Sequence, residues 1–338
     1  MTRATFLLAG DVGGTKTSLG LFSRDGGARR PVVQARFESA AHDGLAEICR
    51  AFLADADASA PVRQAVFGVA GPVIHGSATI TNLPWRLDER ELATELALER
   101  VVLLNDLTAL TYAIPELASD ESTVIVEGTA DAEGAVAVIA PGTGLGMGYA
   151  TRGAEGFVAH PSEGGHAGFA PRGELQEGLL AFLRERYSHV SAERVCSGMG
   201  IPNLYAYLEA RGVADEPAWL SQALAAADDP TPVIADAALV AEPPSALARR
   251  TLELFVEILG AVAGDLALTV LASGGVYVGG GIAPRMLPLL EEDRFRDAFL
   301  GKGRLRHFVE TVPVRVIRND EATLLGAAAH GLARLLRV

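Results

Sequence analysis

Two glycine-rich turns, each set between short apolar runs, constrain the fold of this chain more than any other feature. The first turn, Asp-Val-Gly-Gly-Thr, follows the apolar run Phe6–Ala9 and precedes Thr17–Phe22, where small and apolar residues alternate. The second turn, Pro-Gly-Thr-Gly-Leu-Gly, follows residues 135–140 and precedes residues 147–150. Short apolar runs and alternation indicate strands, so both segments are predicted as strand, glycine turn, strand. The repetition suggests two related halves that each offer a glycine turn to a shared cleft.

The first turn is close to a P-loop in sequence but differs from one at an essential position. Thr15 stands where the second glycine of a P-loop belongs, although Gly10, Lys16 and Thr17 fit the pattern. A P-loop also leads directly into a helix, whose N-terminus binds part of the anion, whereas a strand pattern follows here. A P-loop is therefore not expected. Two glycines, a hydroxyl and a carboxylate suit backbone N–H groups around a phosphate, with Asp11 directed at a metal ion.

Length and composition limit the class of protein. With 338 residues the chain is predicted to form two domains, and 49% hydrophobic residues suffice for large cores. The net charge of -13 argues against nucleic acid and anionic membrane surfaces as partners. Two cysteines, Cys49 and Cys196, are too few for a disulfide framework and fit a reducing cytoplasm. The most membrane-like segment, 252–271, contains three acidic residues and is predicted as a long buried helix.

Strand-like and helical runs alternate along the chain, which is typical of an α/β protein. Residues 62–70 are predicted as a strand and 88–99 as a helix, and the buried strand 101–104 leads into Asn105 and Asp106. Ligands of open α/β sheets gather at the carboxyl ends of strands. The Ala-, Pro- and Asp-rich stretch 212–246 is predicted as surface helix and loop without a chemical role.

Asp106 has the strongest context among the acidic residues. A carboxylate next to Asn at a strand end can hold a hydroxyl group and accept its proton. The alternative is that Asp106 is the N-cap of the following helix. The local sequence favours neither interpretation.

Glu163 and His166 lie in a glycine-rich loop that also contains His160. Two potential ligands without a third make a metal site a weak hypothesis, and an ordinary surface loop is the common case. Sugar recognition suits the loop better, because adjacent hydroxyls pair with carboxylate acceptors and imidazole groups. Glu193 is a further acidic candidate, or a first-turn acid favoured by the helix dipole. His160 and His189 have no comparable support as ligands.

A third glycine cluster, Gly279–Gly281, follows another strand-like run. The sequence contains no nucleophile elbow, no Cys/His pair and no cysteine-ligated zinc pattern. Glycine clusters together with several acids and no evident nucleophile suggest phosphoryl transfer, which depends mainly on positioning and charge neutralisation.

Six motifs, taken in order, resemble those of the bacterial ATP-dependent glucokinase family. They are GDVGGTKT, LLNDLTALTYAIP, PGTGLGMG, HPSEGGHAGFAP, HVSAERVCSGMGIPNLY and GGVYVGGGIAPR. They extend from residue 10 to about residue 285, and the closing NDEATLLGAAAHGL resembles the last helix of the family. Single motifs such as GGT are weak signals, but six in the same order are specific.

The resemblance implies an α/β, two-domain actin-like ATPase fold, which is ribonuclease H-like and hexokinase-type, with a cleft between the domains. The expected limits are 1–113 plus 318–338 for the small domain and 114–317 for the large one. The implied reaction is transfer of the ATP γ-phosphoryl group to the 6-hydroxyl of D-glucose, with ATP and Mg²⁺ as cofactors. A cytoplasmic homodimer is expected.

The resemblance also implies the site residues. Glucose would be bound by Asn105, Asp106, Glu163, His166 and Glu193. Asp106 would be the catalytic base, and Asp11 would bind Mg²⁺ directly or through a water molecule. The nucleotide would be bound by Gly10, Asp11, Gly13, Gly14, Thr15, Lys16, Gly142, Thr143, Gly144, Gly146, Gly279, Gly280, Gly281 and Ile282.

Lys16 departs from the family pattern, since many bacterial glucokinases have Asn after the GGT. The repressor-ORF-kinase group of sugar kinases often has Lys there, but that group usually carries a cysteine-rich zinc motif, which two distant cysteines cannot form. The segment SAERVCSG also favours the glucokinase family.

The sequence leaves three alternatives to a glucose-specific kinase. One is a hexose or amino-sugar kinase of broader specificity. Another is an actin- or chaperone-like ATPase, which would not need Asn105, Asp106, Glu163 and His166 together. A sugar-sensing regulator would need a DNA-binding segment, and we expect none ahead of the first phosphate strand.

Overall fold

A computed structural model describes residues 6–56, 61–80, 82–154 and 156–334, which contain 14 strands and 12 α-helices. The strands are β1 (Phe6–Val12), β2 (Lys16–Ser23), β3 (Val33–Glu38), β4 (Val62–Val69), β5 (Val73–Ile74), β6 (Ser77–Thr79), β7 (Arg86–Asp88), β8 (Arg100–Asn105), β9 (Ser122–Val126), β10 (Val136–Pro141), β11 (Leu145–Gly153), β12 (Gly156–Ser162), β13 (Gly275–Val278) and β14 (Val314–Ile317). The helices are α1 (Leu45–Asp55), α2 (Glu89–Glu95), α3 (Asp106–Ala113), α4 (Gly173–Arg184), α5 (Ile201–Ala210), α6 (Ala218–Ala226), α7 (Pro230–Leu239), α8 (Ala246–Val270), α9 (Leu287–Leu290), α10 (Asp293–Leu300), α11 (Arg306–Val309) and α12 (Ala322–Arg334).

The chain divides into two compact units. The first takes the described residues of Met1–Ser122, Tyr149–Pro161 and Asn319–Val338, and the second takes Thr123–Gly148 and Ser162–Arg318. The first of these limits falls later in the chain than the predicted limit after residue 113, and the chain also returns to the first unit at Tyr149–Pro161. The predicted limits of the small and large domains stay a prediction.

The main sheet of the first unit has the strand order β3-β2-β1-β4-β8. β2 pairs antiparallel with β1 and β3, whereas β4 lies parallel to β1 and β8. The apolar run predicted at Phe6–Ala9 is buried within β1, and α12 packs against both β1 and α3. Because β1 and β8 run in the same direction, the turn after β1 and Asn105 at the end of β8 lie at the same edge of the sheet.

The six-stranded sheet has the order β12-β11-β10-β13-β14-β9, and β13 lies parallel to β10 and β14. Apart from β9 at its edge, this order repeats that of the first sheet: third, second, first, fourth and fifth strand. The two sequence segments that suggested related halves form β1–β2 and β10–β11. The sequence repetition therefore corresponds to a repeated sheet topology.

The long helix α8 forms the core of the second unit and packs against α5, α7 and α10. The buried helix predicted at 252–271 is thereby confirmed, although it begins earlier, at Ala246. In the ranges that the structure covers, no helix is both long and apolar enough to cross a membrane.

The predicted helix 88–99 is wrong at its end. Asp88 caps the helix as its side chain accepts from the N–H groups of Arg90 and Glu91, but α2 stops at Glu95. Ala97 has a φ of 52°, in the left-handed region, and the Leu98 N–H donates to the Ala93 carbonyl at 2.9 Å. This C-terminal turn satisfies the last helical carbonyls and ends the helix.

Candidate active site

The first glycine turn joins β1 to β2 as an antiparallel hairpin. The Gly13 N–H donates to the Lys16 carbonyl at 2.9 Å, and Ser39 donates to the Thr15 carbonyl through its N–H and to the Gly13 carbonyl through its hydroxyl, both at 2.9 Å. A strand and not a helix follows the turn, so the exclusion of a P-loop is confirmed. The exposed Lys16 side chain lies 4.0 Å from Glu38 of β3.

Asp11 and Asp106 belong to the same part of the first unit. Desolvation by burial and the negative charge of Asp106 raise the pKa of Asp11 to about 7, while Arg36 acts in the opposite direction. A pair of carboxylates that repel each other calls for a positive charge nearby. No group of three or more His, Cys, Asp or Glu side chains in the described parts of the chain is arranged to hold a metal ion. The pair fits Mg²⁺, which commonly uses one or two carboxylates and takes its other ligands from phosphates and water.

Asn105 and Asp106 stand where β8 passes into α3. Asn105 is the N-cap: its side-chain oxygen accepts from the Leu107 N–H at 3.0 Å, and its amide nitrogen donates to the Gly71 carbonyl at 3.1 Å. Asp106 is the first residue of α3, and its Oδ1 also accepts from the Leu107 N–H, at 2.9 Å. The interpretation of Asp106 as the N-cap is therefore wrong, because Asn105 occupies that position. The substrate roles of both residues stay predictions.

The loop with Glu163 and His166 lies directly on the first residue of β11, Leu145. A Cβ on Gly165 would lie 2.0 Å from the Leu145 carbonyl oxygen, so only glycine permits this approach. His166 Nε2 lies 3.9 Å from a Glu163 carboxylate oxygen, and His166 Nδ1 lies 3.8 Å from Glu193 Oε1. The structure thus brings together the three predicted sugar ligands of the second unit.

Glu193 differs from its neighbours in burial. Its side chain is 15% exposed, whereas those of Glu163 and His166 are 77% and 62% exposed. The short turn that carries Glu193 is held to the loop by the Ala192 N–H, which donates to the Ala167 carbonyl at 2.8 Å. A mostly buried carboxylate beside an exposed acid and imidazole is an arrangement that can receive several adjacent hydroxyl groups.

The two remaining histidine candidates have other partners. His189 Nε2 lies 2.8 Å from the His166 carbonyl oxygen, so its ring holds the backbone of the loop. His160 Nε2 lies 2.9 Å from the Thr151 hydroxyl, and the His160 ring stacks on Tyr149 with centroids 4.8 Å apart. Both contacts support local structure.

The second glycine turn follows β10 and borders a pocket of about 600 Å³ in the second unit. Gly142 and Thr143 line it from the turn, and Gly281 and Ile282 line it from the segment after β13. Its size is that of a site for a small organic ligand. The third glycine cluster and the second turn, predicted to bind one nucleotide, therefore meet at one pocket.

The other pocket residues are not predicted as site residues from the sequence. They come from the start of α5 and the residues before it, from α7, and from the turn after Ile282: Gly198, Met199, Ile201, Pro202, Asp229, Pro230, Thr231, Pro232, Ala235, Leu239, Arg285 and Met286. The stretch 212–246 was expected to have no chemical role, yet part of it forms this wall. A Pro-Thr-Pro helix start is a local capping pattern and carries no signal of a ligand in a single sequence.

Two sheets of the same order, each with a glycine turn after its first strand, define the class of protein as one with the actin-like ATPase fold. The sequence profile of the glucokinase family matches residues 8–333. The chain belongs to the glucokinase family, and the resemblance inferred from the six motifs is confirmed.

Relatives and solved structures agree with this assignment. The glucokinase of Nostoc punctiforme is 39% identical over 337 residues, which cover 96% of this chain and 98% of that protein. The crystal structure of a glucokinase from an Antarctic psychrotroph superposes with a TM-score of 0.80 at 33% identity, covering 96% of this chain and 98% of the other. A ROK family glucokinase from Streptomyces griseus, crystallised with glucose and AMPPNP, gives a TM-score of 0.60 at 23% identity with coverages of 96% and 98%. At that identity the last likeness concerns the fold alone.

Proposed function

We propose that the chain transfers the γ-phosphoryl group of ATP to the 6-hydroxyl of D-glucose, giving ADP and glucose 6-phosphate. The observation that carries the proposal is the grouping of Glu163, His166 and Glu193 in the same unit as a nucleoside-sized pocket bordered by a glycine turn. Two carboxylates and an imidazole suit the adjacent hydroxyls of a sugar. Membership of the glucokinase family supports glucose as that sugar.

Asp106 is the general base in this proposal. The 6-hydroxyl is a poor nucleophile, and a carboxylate at hydrogen-bond distance can accept its proton and orient its oxygen. The end of β8 fixes the backbone of Asp106 at the first residue of α3. A loose transition state with late proton transfer does not require a strong base.

The nucleotide is assigned to the two glycine turns and the pocket. The adenosine occupies the 600 Å³ pocket, and the phosphates bind at the two glycine turns. Membership of the glucokinase family supports ATP as the donor. When bound, Mg²⁺ neutralises charge on the phosphates, and Asp11 holds it directly or through water. Lys16, the first residue of β2, directly follows the first turn, and its charge adds to the attraction for phosphate.

The cellular location and the oligomeric state of the enzyme are also part of the proposal. We assign the enzyme to the cytoplasm, since both cysteines are unpaired and buried, as in proteins of a reducing compartment. Nucleic acid and membranes are not expected as partners at a net charge of -13. A homodimer stays a prediction that rests on the family resemblance.

A coupled assay with ATP and a panel of hexoses and amino sugars tests the proposed reaction. We expect D-glucose to give the highest kcat/KM and glucose 6-phosphate to be the product. Preference for an amino sugar would indicate the broader-specificity alternative. Hydrolysis of ATP without phosphorylation of any sugar would indicate an actin- or chaperone-like ATPase.

A further inference from the structure

The two carboxylate oxygens of Glu193 have different neighbours. Oε2 accepts a hydrogen bond from the Leu145 N–H at 3.0 Å, at the end of the second glycine turn. Oε1 lies 3.8 Å from His166 Nδ1, in the group assigned to glucose. One largely buried side chain thus contacts both the sugar-binding group and the turn assigned to the nucleotide phosphates.

The backbone after Glu193 is hydrogen-bonded to the same turn. The Gly198 N–H donates to the Gly142 carbonyl at 2.8 Å, and the Met199 N–H donates to the Thr143 carbonyl at 3.3 Å. The Ser197 hydroxyl donates to the Glu193 carbonyl at 2.7 Å. The segment that carries Glu193 is therefore hydrogen-bonded to the glycine turn at several points, and a shift of one requires a shift of the other.

We propose that Glu193 is a positioning residue that couples glucose binding to the geometry of the phosphate-binding turn. The inference rests on the proposed function, which assigns glucose and ATP phosphates to these two groups. A sugar hydroxyl that donates to Glu193 fixes its carboxylate, and the carboxylate fixes the Leu145 N–H. Because coupling between two binding sites is reciprocal, an ordered turn also favours glucose binding. A hydrogen bond to an ionised acceptor is stronger than a neutral one, which suits a residue that transmits position.

Gly144 provides a selective way to disturb this contact. A Cβ on Gly144 would lie 2.5 Å from Glu193 Oε2, so a methyl group there displaces the carboxylate. The φ angle of Gly144 lies outside the left-handed region, so its backbone accepts alanine. Gly142 in the same turn is the matched control, since an added Cβ there meets no atom of the described residues within 4 Å.

The first experiment measures glucose affinity by calorimetry in the absence of nucleotide. Gly144→Ala should weaken glucose binding about fivefold or more, the loss expected when a charged hydrogen-bond acceptor is displaced. Gly142→Ala should leave glucose affinity within about twofold of wild type, whatever it does to nucleotide affinity. This result tests whether the Gly144–Glu193 contact bears on sugar binding, because the added methyl group acts directly on the Glu193 carboxylate. Whether Glu193 in turn supports nucleotide binding is tested by the second experiment.

The second experiment measures AMPPNP affinity in the absence of glucose. Glu193→Ala removes the acceptor of the Leu145 N–H and should weaken binding about fivefold or more. Glu193→Gln keeps a side-chain oxygen for that N–H and should stay within about twofold of wild type. If Glu193 serves glucose alone, neither variant changes AMPPNP affinity. These two Glu193 variants also test the coupling if Gly144→Ala fails to fold.

Two results separate the inference from the proposed function. If the wild type binds glucose and AMPPNP and phosphorylates glucose, but Glu193→Ala leaves AMPPNP affinity unchanged, the coupling is absent and the proposed function stands. If the wild type phosphorylates no sugar, the proposed function fails and the inference fails with it.

Discussion

Burial and the neighbouring carboxylate of Asp106 raise the pKa of Asp11 to about 7. Two acids in one part of the first unit repel each other and would also repel a phosphate. A divalent cation offsets both repulsions. The repulsion between these two carboxylates is therefore a reason to expect Mg²⁺ at the first glycine turn.

Asp11→Asn should lower kcat and raise the Mg²⁺ concentration needed for half-maximal rate. It removes the charge that attracts the cation and keeps the shape of the side chain. The loss of one interaction with a charged group, about 1.5 kcal/mol or more, corresponds to a decrease of about tenfold. Rates titrated with Mg²⁺ measure both effects. Asp25→Asn, which changes an exposed acid beyond β2, is the control, and an unchanged Mg²⁺ titration of Asp11→Asn would remove Asp11 from the site.

Ala235→Phe should weaken nucleotide binding without weakening glucose binding. Ala235 lines the 600 Å³ pocket from α7, and a phenyl ring there takes up space assigned to adenosine. We expect the Kd for ADP to rise about tenfold or more, the cost of about 1.4 kcal/mol of misfit. Ala225→Phe on the exposed surface of α6 is the matched control. If ADP binds equally well to both variants, the adenosine is not in this pocket.

The sequence predicts those parts of the site that depend on residues adjacent in the chain. The glycine turns and their flanking strands can be predicted because alternation and short apolar runs are local patterns. Asn105 and Asp106 can be predicted as site residues because a buried strand ends immediately before them. The sequence does not predict which of the two caps α3, because both residue types cap helices well.

Contacts between distant segments account for what the sequence does not predict. The hydrogen bond from Leu145 to Glu193 joins residues 48 positions apart, and its existence depends on how β11 and the turn at 192–194 pack. The pocket wall at Asp229–Pro232 is close to Gly142 only through the fold of the second unit. The early end of α2 at Glu95 depends on a left-handed Ala97, a conformation that its residue type does not indicate.

His330 should make the first unit less stable in acid. Burial, Arg334 and Arg100 lower the pKa of His330 to about 4. Its ring lies 4.6 Å from that of Tyr112, and its Nδ1 has no hydrogen-bond partner among the described residues. The unfolded chain binds this proton near pH 6.5 and the folded chain only near pH 4, so stability is full above pH 6.5 and falls as the pH decreases toward 4.

Denaturant unfolding at pH 7 and pH 5 measures this contribution. His330→Phe should lose ~1–2 kcal/mol less than wild type between the two pH values, because its side chain takes up no proton. His307→Gln, which replaces an exposed histidine of α11, is the control. Equal losses in wild type and His330→Phe would show that His330 is not buried as a neutral ring.

Asp106→Asn separates proton transfer from structure. Asparagine keeps the size of the side chain and an oxygen that can accept from the Leu107 N–H, as Asp106 Oδ1 does at 2.9 Å, but it cannot take a proton from the 6-hydroxyl. We expect kcat of the purified variant, measured at saturating ATP, Mg²⁺ and glucose, to fall at least ~10²-fold. Glucose affinity, measured by calorimetry, should change much less. A variant that binds glucose normally and retains more than about a tenth of the wild-type kcat would contradict the assignment of Asp106 as the base.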